Sequence, residues 1–242
     1  MVKDGSRYYD NNVFFKNYME KRLSKDNPND TIEKPIFLEM IGTCSKLHVL
    51  DLGCGNGDFG IDLLRSGCKS YTGIEGSENM YLSALKHLNE YNNLKFTHST
   101  IENWQPPKEQ YDLVVSRLVL HYIANIDDIF EKVYQSLKKG GRLIFSIEHP
   151  VITSTLQKSG QRTNWIVDNY FSPGFREQQW LGTTVYKYHR TIEDYFTSLQ
   201  KAGFSIKLLR ESKPKRENFE HPDTYNRRLR IPLFLFLSST KE

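Results

Sequence analysis

Long apolar runs are missing from this chain. Nowhere among its 242 residues does it sustain the roughly 18 apolar residues of a membrane-spanning helix, so no membrane partner is expected. Its start, MVKDGSRYYD, lacks a basic-then-apolar layout, and no secretory leader is expected. Cysteine is scarce. Cys44, Cys54 and Cys68 have no metal-ligand spacing and cannot all pair, which predicts reduced thiols, a cytoplasmic setting and no metal. Charge of one sign is not in large excess, with 33 Lys and Arg against 29 Asp and Glu and a net charge of +4. The late basic clusters, Lys213 to Arg216 and Asn226 to Arg230, read as solvated loops, and a nucleic-acid partner is not expected. Repeats and low-complexity tracts are also absent. No G-K-[ST] follows the glycine-rich stretch, which excludes a Walker phosphate loop.

What is present is alternation. Apolar runs separated by amphipathic helical patterns predict a parallel sheet with crossover helices. The runs are LHVLDLG (Leu47 to Gly53), KSYTGIE (Lys69 to Glu75), LKFTHS (Leu94 to Ser99), YDLVVSR (Tyr111 to Arg117) and GRLIFSIEH (Gly141 to His149). The fourth is nearly all apolar, so a central place is expected. Helices are expected over Asp58 to Ser66, stopped by Gly67, and after Ser77 as N-cap, with Met80, Tyr81, Ala84, Leu85 and Leu88 on one face. A third runs from Ile126 through Leu137 and is ended by Gly140 and Gly141. TIED (Thr191 to Asp194) is a capping box opening a helix that runs to Gly203. SIKLLRE (Ser205 to Glu211) and IPLFLFLSS (Ile231 to Ser239) supply the last strands, with Pro232 suited to a strand start.

Two helices, Asn12 to Leu23 and about Pro35 to Ile41, precede the first strand. Pro150 to Arg190 is too long for a plain loop and is expected to be an insertion or lid. Its Trp165, Tyr170, Phe171, Phe175 and Trp180 either roof a small apolar pocket or form the insertion's own minicore.

In VLDLGCGNGDFG (Val49 to Gly60) the glycines fall in the first strand-to-helix turn, the favoured ligand position of an open α/β sheet. Such bare backbone implies close approach by a ligand. Gly55 to Gly60 also reads G-x-G-x-x-G, a weak dinucleotide signal by itself. Asp51 precedes the glycines and Asp58 follows the third. Their charge repels a pyrophosphate and suits an ammonium or sulfonium.

With these residues the sequence resembles the class I S-adenosylmethionine-dependent methyltransferases of the small-molecule bacterial kind. The family's [DE]-x-G-x-G-x-G motif stands here as Asp51 to Gly57, and the acidic residue that closes its second strand is matched by Glu75. Ser116 to Tyr122 matches the S-x-L-x-H-[YW] pattern, and EHP (Glu148 to Pro150) and YHRT (Tyr188 to Thr191) resemble stretches of closer relatives. The usual D-A pair after the third strand is missing, with Ser99 at its acidic position.

The resemblance implies a Rossmann-like α/β fold: a seven-stranded, mostly parallel sheet with an antiparallel last strand and helices on both faces. One domain, 1–242, is expected, with a helical cap (1–45), a cofactor core (46–149), an insertion (150–190) and a C-terminal helix and strand pair (191–242). It implies S-adenosylmethionine as cofactor, S-adenosylhomocysteine as product, and in-line SN2 transfer to N, O, S or C of a small-molecule acceptor. No oligomeric state is implied. SRLV (Ser116 to Val119) stands where an N-P-P-[YF]-like tetrad would, which argues against methylation of adenine or glutamine in the manner of those enzymes.

On this reading Gly53, Cys54, Gly55 and Gly57 pass beside the methionine part and Asp51 orients its ammonium. Glu75 and Gly76 hold the ribose, while Met80, Thr100, Ile101 and Glu102 contact the adenine. Tyr18 joins the cofactor set, and Arg22 or Arg117 pairs with the cofactor carboxylate. His121, His149 and His189 compete as catalytic base, with His189 placed first because it ends the insertion. Tyr8 or Tyr9, Arg190 and Arg230 are candidate substrate contacts. Alignment of donor and acceptor contributes on the order of 7–11 kcal/mol, and a base is needed only if the acceptor still holds its proton. Competing readings are a methyltransferase acting on RNA, peptide or protein, a non-catalytic cofactor-binding module, and a nicotinamide dehydrogenase.

Overall fold

Strands and helices alternate through most of the chain, as the hydrophobic periods require. The computed structural model describes residues 5–88, 91–155 and 164–242; residues 1–4 of the expected cap and 156–163 of the expected insertion lie outside the described residues. A 3-10 turn over Gly5–Asp10 leads into α1 (Asn12–Arg22), α2 (Lys34–Ile41) and β1 (His48–Leu52). Then follow α3 (Asp58–Arg65), β2 (Ser70–Glu75), α4 (Glu78–Leu88) and β3 (Leu94–His98). Next come β4 (Tyr111–Arg117), α5 (Ile126–Ser136), β5 (Leu137–Glu148) and the short α6 (Pro150–Thr153). The hairpin β6 (Gly174–Trp180) and β7 (Thr183–His189) precedes α7 (Ile192–Lys201), β8 (Phe204–Glu211), α8 (Pro222–Arg228) and β9 (Phe234–Lys241).

The main sheet has seven strands in the order β3-β2-β1-β4-β5-β9-β8, and β9 runs antiparallel to both neighbours. This is the expected Rossmann-like architecture. Side chains alternate across the sheet. Leu50, Leu52, Val114, Phe145 and Leu237 face a layer that includes Phe130 of α5 and Tyr195 of α7. Val49, Leu113, Val115, Ile144 and Phe236 face the other, with Phe37 of α2 and Phe59 of α3. Strand β1 pairs with both β2 and β4, so the connection direction reverses there and opens a crevice beyond the strands' carboxyl ends.

Local sequence explains several boundaries. Asn11 caps α1 by accepting from the Val13 and Phe14 N–H groups, and Thr191 with Asp194 forms the expected capping box. Ser77 Oγ accepts from Met80 N at 3.3 Å and so caps α4; Met80, Ala84 and Leu88 are buried, but Leu85 of the expected face is exposed.

Two expectations are corrected. The helix expected to reach Gly140 stops at Ser136, because Leu137 is extended and already pairs with Tyr111 of β4. The last strand begins at Phe234, not Ile231: the Leu233 and Phe234 N–H groups are taken by Ser212 Oγ at 2.7 and 2.9 Å. The insertion has a structure of its own in the β6–β7 hairpin, paired from Gly174–His189 to Trp180–Thr183.

Candidate active site

The crevice at the β1/β4 reversal contains a cavity of about 240 Å³. Its floor is the turn after β1. Gly53 has φ +75, and a Cβ there would lie 2.5 Å from Val119 Cγ2, so only glycine fits both the dihedral and the contact. Gly55 has φ +59, yet a Cβ there would meet nothing within 4 Å: its bare face opens on space. Gly57 starts α3 in the left-handed conformation. The residue after β4, Leu118, also carries a positive φ of 58, a strained backbone beside the cavity.

Two carboxylates flank this turn. Asp51 is 2% exposed and accepts from the Tyr71 hydroxyl at 2.8 Å. Burial pushes its carboxyl up to about 7, with the Tyr71 bond and the Arg117 charge opposing. Glu75 accepts from Ser77 N with Oε1 and from Gly55 N with Oε2, both at 2.8 Å. Burial raises the Glu75 carboxyl against these backbone donors. A carboxylate has about four lone-pair sites, so each oxygen retains one for a ligand hydroxyl. Cys54, Gly76, Met80, Thr100, Ile101 and Glu102 continue this wall. Burial, reinforced by Asp51 and Glu75, raises the Cys54 thiol.

The two arginines left open by the sequence have different surroundings. Arg117 donates through Nε and Nη2 to Glu33, which is fully buried, and its guanidinium lies 4.3 Å from the Phe59 ring centroid. Arg22 donates from Nη2 to Asp30 at 2.9 Å, while its Nη1 is buried in the described structure with no hydrogen-bond partner. Both line the cavity.

The N-terminal segment straps the opposite side. Asp10 Oδ1 accepts from Ser77 Oγ at 2.7 Å, and Asn79 Nδ2 donates to the Tyr9 carbonyl at 2.9 Å. This places Gly5, Ser6, Tyr9 and Tyr18 on the cavity, where Trp180 of the hairpin also reaches. Tyr9 and Tyr18 meet edge to face at 4.9 Å, and Tyr18 and Trp180 at 5.8 Å.

Only one of the three proposed histidines reaches the cavity. His121 lines it and is 2% exposed; its Nδ1 accepts from Glu148 N at 3.3 Å, leaving the proton on Nε2. Burial pushes it down to about 3, so the ring is neutral. His149 lies off the cavity: Nδ1 accepts from Val151 N and Nε2 reaches Glu211 at 3.0 Å. His189, placed first from the sequence, is fully buried between Thr153 Oγ1 at 2.7 Å and the Tyr170 carbonyl at 2.9 Å. It does not line the cavity, because the hairpin register turns its side chain into the junction with α6.

The candidate substrate contacts divide similarly. Tyr9 lines the cavity; Tyr8 does not, and its hydroxyl accepts from Tyr186 N at 3.0 Å. Arg190 donates to the Ile123 and Ala124 carbonyls at 2.7 Å each, holding the turn that carries His121 rather than facing the cavity. Arg230 is exposed and also outside it. Trp180, one of the aromatics expected either to roof a pocket or to form a minicore, lines the cavity. Sequence reasoning missed Glu148 and Tyr122 as cavity residues, although both stand in the EHP and S-x-L-x-H-[YW] stretches.

The fold and the acidic glycine turn are those of a Rossmann-like protein with a cavity at the sheet's reversal point. A methyltransferase-domain family model matches residues 50–143. A Listeria monocytogenes structure, provisionally described as an S-adenosylmethionine dependent methyltransferase, is similar at 36% identity and TM-score 0.79, covering 87% of this chain and 96% of that one. An uncharacterized Haemophilus influenzae protein is 30% identical over 217 residues, 84% of this chain and 85% of that protein. The malonyl-[acyl-carrier protein] O-methyltransferase 1 of Ilyobacter polytropus is 28% identical over 143 residues, 59% of this chain and 48% of that enzyme. This chain belongs to the S-adenosylmethionine-dependent methyltransferases, and S-adenosylmethionine is its cofactor. The residues present fit that group: an open glycine face, free carboxylate lone pairs on Glu75 and an unpartnered Arg22 Nη1 share one cavity.

Proposed function

We propose that the chain methylates a small molecule held in this cavity, in a cytoplasmic setting that its three unpaired, buried cysteines favour. Residues 5–45 act as a cap and the β6–β7 hairpin as a lid on one catalytic unit. Glu75 takes the ribose hydroxyls, Asp51 faces the ammonium, and Arg22 Nη1 takes the carboxylate of the methionine part. Gly53, Cys54, Gly55 and Gly57 run beside it. Met80, Thr100, Ile101 and Glu102 take the adenine. Arg117 is held by Glu33 and supports the pocket's shape. The bound cofactor supplies an activated methyl group, and the protein aligns an acceptor behind it and excludes water.

The observation that carries this reading is that Tyr9, Tyr18, Tyr122 and Trp180 line the same cavity as the glycine turn. The test is transfer of labelled methyl from S-adenosylmethionine into a cell extract split by filtration. Label in the low-mass filtrate is the expected result. Label only on retained macromolecules overturns the small-molecule reading.

One feature favours an acceptor with an anionic extension. A second cleft is lined by Lys21, Lys25, Arg227 and Arg228, and Lys21 Nζ lies 5.6 Å from the Trp180 ring centroid at the edge of the first cavity. Transfer that weakens steeply with added salt would support use of that cleft.

A further inference from the structure

Sequence reasoning left the acceptor atom open, and the cavity's polar groups narrow it. Among the described residues, five carboxylates line the cavity (Asp51, Asp58, Glu75, Glu102 and Glu148) against two arginines, Arg22 and Arg117, each ion-paired to an acid outside the lining. Four of these acids stand around the glycine turn and the adenine wall. Glu148 stands apart, at the end of β5 beside His121 and Tyr122.

Glu148 Oε1 is bound at 2.7 Å by Lys187 Nζ, which also reaches Gln178 Oε1 at 2.6 Å and lies 5.9 Å from the Tyr122 ring centroid. Glu148 Oε2 is buried with no hydrogen-bond partner in the described structure. The Lys187 ammonium holds the carboxyl below its ordinary range despite burial, so it is an anion with one unused oxygen. Leaving such an oxygen unpaired is costly, and a ligand donor is the natural partner.

The surroundings favour a cation further. Tyr9, Tyr18, Tyr122 and Trp180 supply aromatic walls, and Tyr9 and Tyr122 hydroxyls are hydrogen-bond partners. Burial raises all three tyrosines, so they stay neutral and present π faces and hydroxyls. Neutral His121 adds no opposing charge. An aromatic enclosure with one carboxylate attracts an ammonium group.

Resting on the proposed reading of this cavity, we infer that the methyl acceptor is an amine, bound through an N–H to Glu148 Oε2 among Tyr9, Tyr122 and Trp180. The bound ammonium first loses one proton to solvent; with a remaining N–H donated to Glu148, the lone pair of the neutral amine so formed is directed toward the methyl group. The nitrogen lone pair forms the N–C bond as the C–S bond breaks. Positive charge passes from sulfur to nitrogen, and the product ammonium releases its proton to solvent through Glu148. The carboxylate lies where that charge develops, which stabilises the transition state more than the ground state.

The experiment is calorimetric titration of protein saturated with S-adenosylhomocysteine, using two probes of similar size: 2-phenylethylamine and 3-phenylpropionate. Saturation by S-adenosylhomocysteine is verified first, so failure of cofactor binding is read separately from failure of the amine assignment. The wild-type protein is expected to bind the amine at least about ten-fold more tightly than the acid, the size of one charge-assisted hydrogen bond. E148Q is expected to keep S-adenosylhomocysteine affinity and lose the preference. Equal affinity, tighter binding of the propionate or no binding of the amine overturns the inference. So does an E148Q protein that binds S-adenosylhomocysteine and keeps the preference. The wild-type pair alone decides the matter if E148Q does not fold.

Discussion

The cofactor and acceptor ends proposed for the cavity are built in different ways. The cofactor end comes from residues near each other in sequence, Asp51 to Asp58 and Glu75 to Met80, placed by neighbouring parallel strands and presenting mostly backbone. The acceptor end gathers Tyr9 and Tyr18 from ahead of β1, His121 and Tyr122 after β4, Glu148 at the end of β5 and Trp180 from the hairpin. Its surface is side chain rather than backbone. On that proposal the cofactor is recognised by backbone geometry that tolerates little change, while the acceptor meets side chains that substitution can alter without moving the sheet.

The sharpest way to separate the ends is Asp51→Asn. Loss of its charge is expected to weaken S-adenosylhomocysteine binding by about 100-fold, read by calorimetry, since a buried charge partner is removed. The free protein is expected to gain stability. The folded-state pKa of Asp51 is raised to about 7 from an ordinary 3.8, so the folded state holds the proton more tightly than the unfolded one. Stability from this group is therefore present below about pH 4 and is lost as pH rises to about 7; above that the ionised group costs about 4 kcal/mol at most. Chemical denaturation of Asp51→Asn at mildly alkaline pH is expected to show part of that cost relieved. By the same linkage, wild-type affinity for S-adenosylhomocysteine rises with pH through about 7, and a flat profile would break the assignment.

Gly53→Ala attacks the same end through the backbone. With φ +75 and Val119 2.5 Å from the new Cβ, it is expected to lose about 2–3 kcal/mol of stability, measured by urea midpoint. Next in size, Arg22→Gln is expected to raise the KM for S-adenosylmethionine about ten-fold with little change in kcat, because it removes binding common to ground and transition states. If Arg117 instead held the cofactor, Arg22→Gln would leave that KM unchanged.

At the acceptor end, Tyr122→Phe is expected to leave S-adenosylhomocysteine affinity unchanged and to raise the acceptor KM about three- to ten-fold, through the lost hydroxyl contact with Tyr9. Equal loss at both ends would erase the division. The smallest effect on turnover is expected for His189→Gln: wild-type activity and pH profile, with about 1–2 kcal/mol less stability from its lost bonds to Thr153 and Tyr170. A shifted pH profile would return that histidine to the chemistry.

Most of the fold was legible in the sequence, as were the residues proposed for the cofactor end, because both depend on local rules. Short apolar runs between amphipathic helical patterns defined the strands, and Asp51, the glycines and Glu75 fall at the ends of neighbouring strands. The histidines misled for a physical reason. Each follows a strand or ends the hairpin, so all three looked equally near the rim; hydrogen bonding then turned two of them inward, to Glu211 and to Thr153 with Tyr170. Glu148 was hidden by its neighbour, since a carboxylate beside a histidine draws notice only once its free oxygen is known.

The sequence by itself determined the sheet, the reversal point after β1 and the kind of ligand the acidic glycine turn accepts, because backbone dihedrals and adjacent charges act over a few residues. Only the tertiary structure decided which acid holds each arginine, which histidine meets the cavity, and that Glu148 lines it together with Tyr122 and Trp180. Those outcomes depend on contacts between residues distant in the chain, as where Arg117 and Ser146 both donate to Glu33 from 84 and 113 residues away, and no local pattern encodes them.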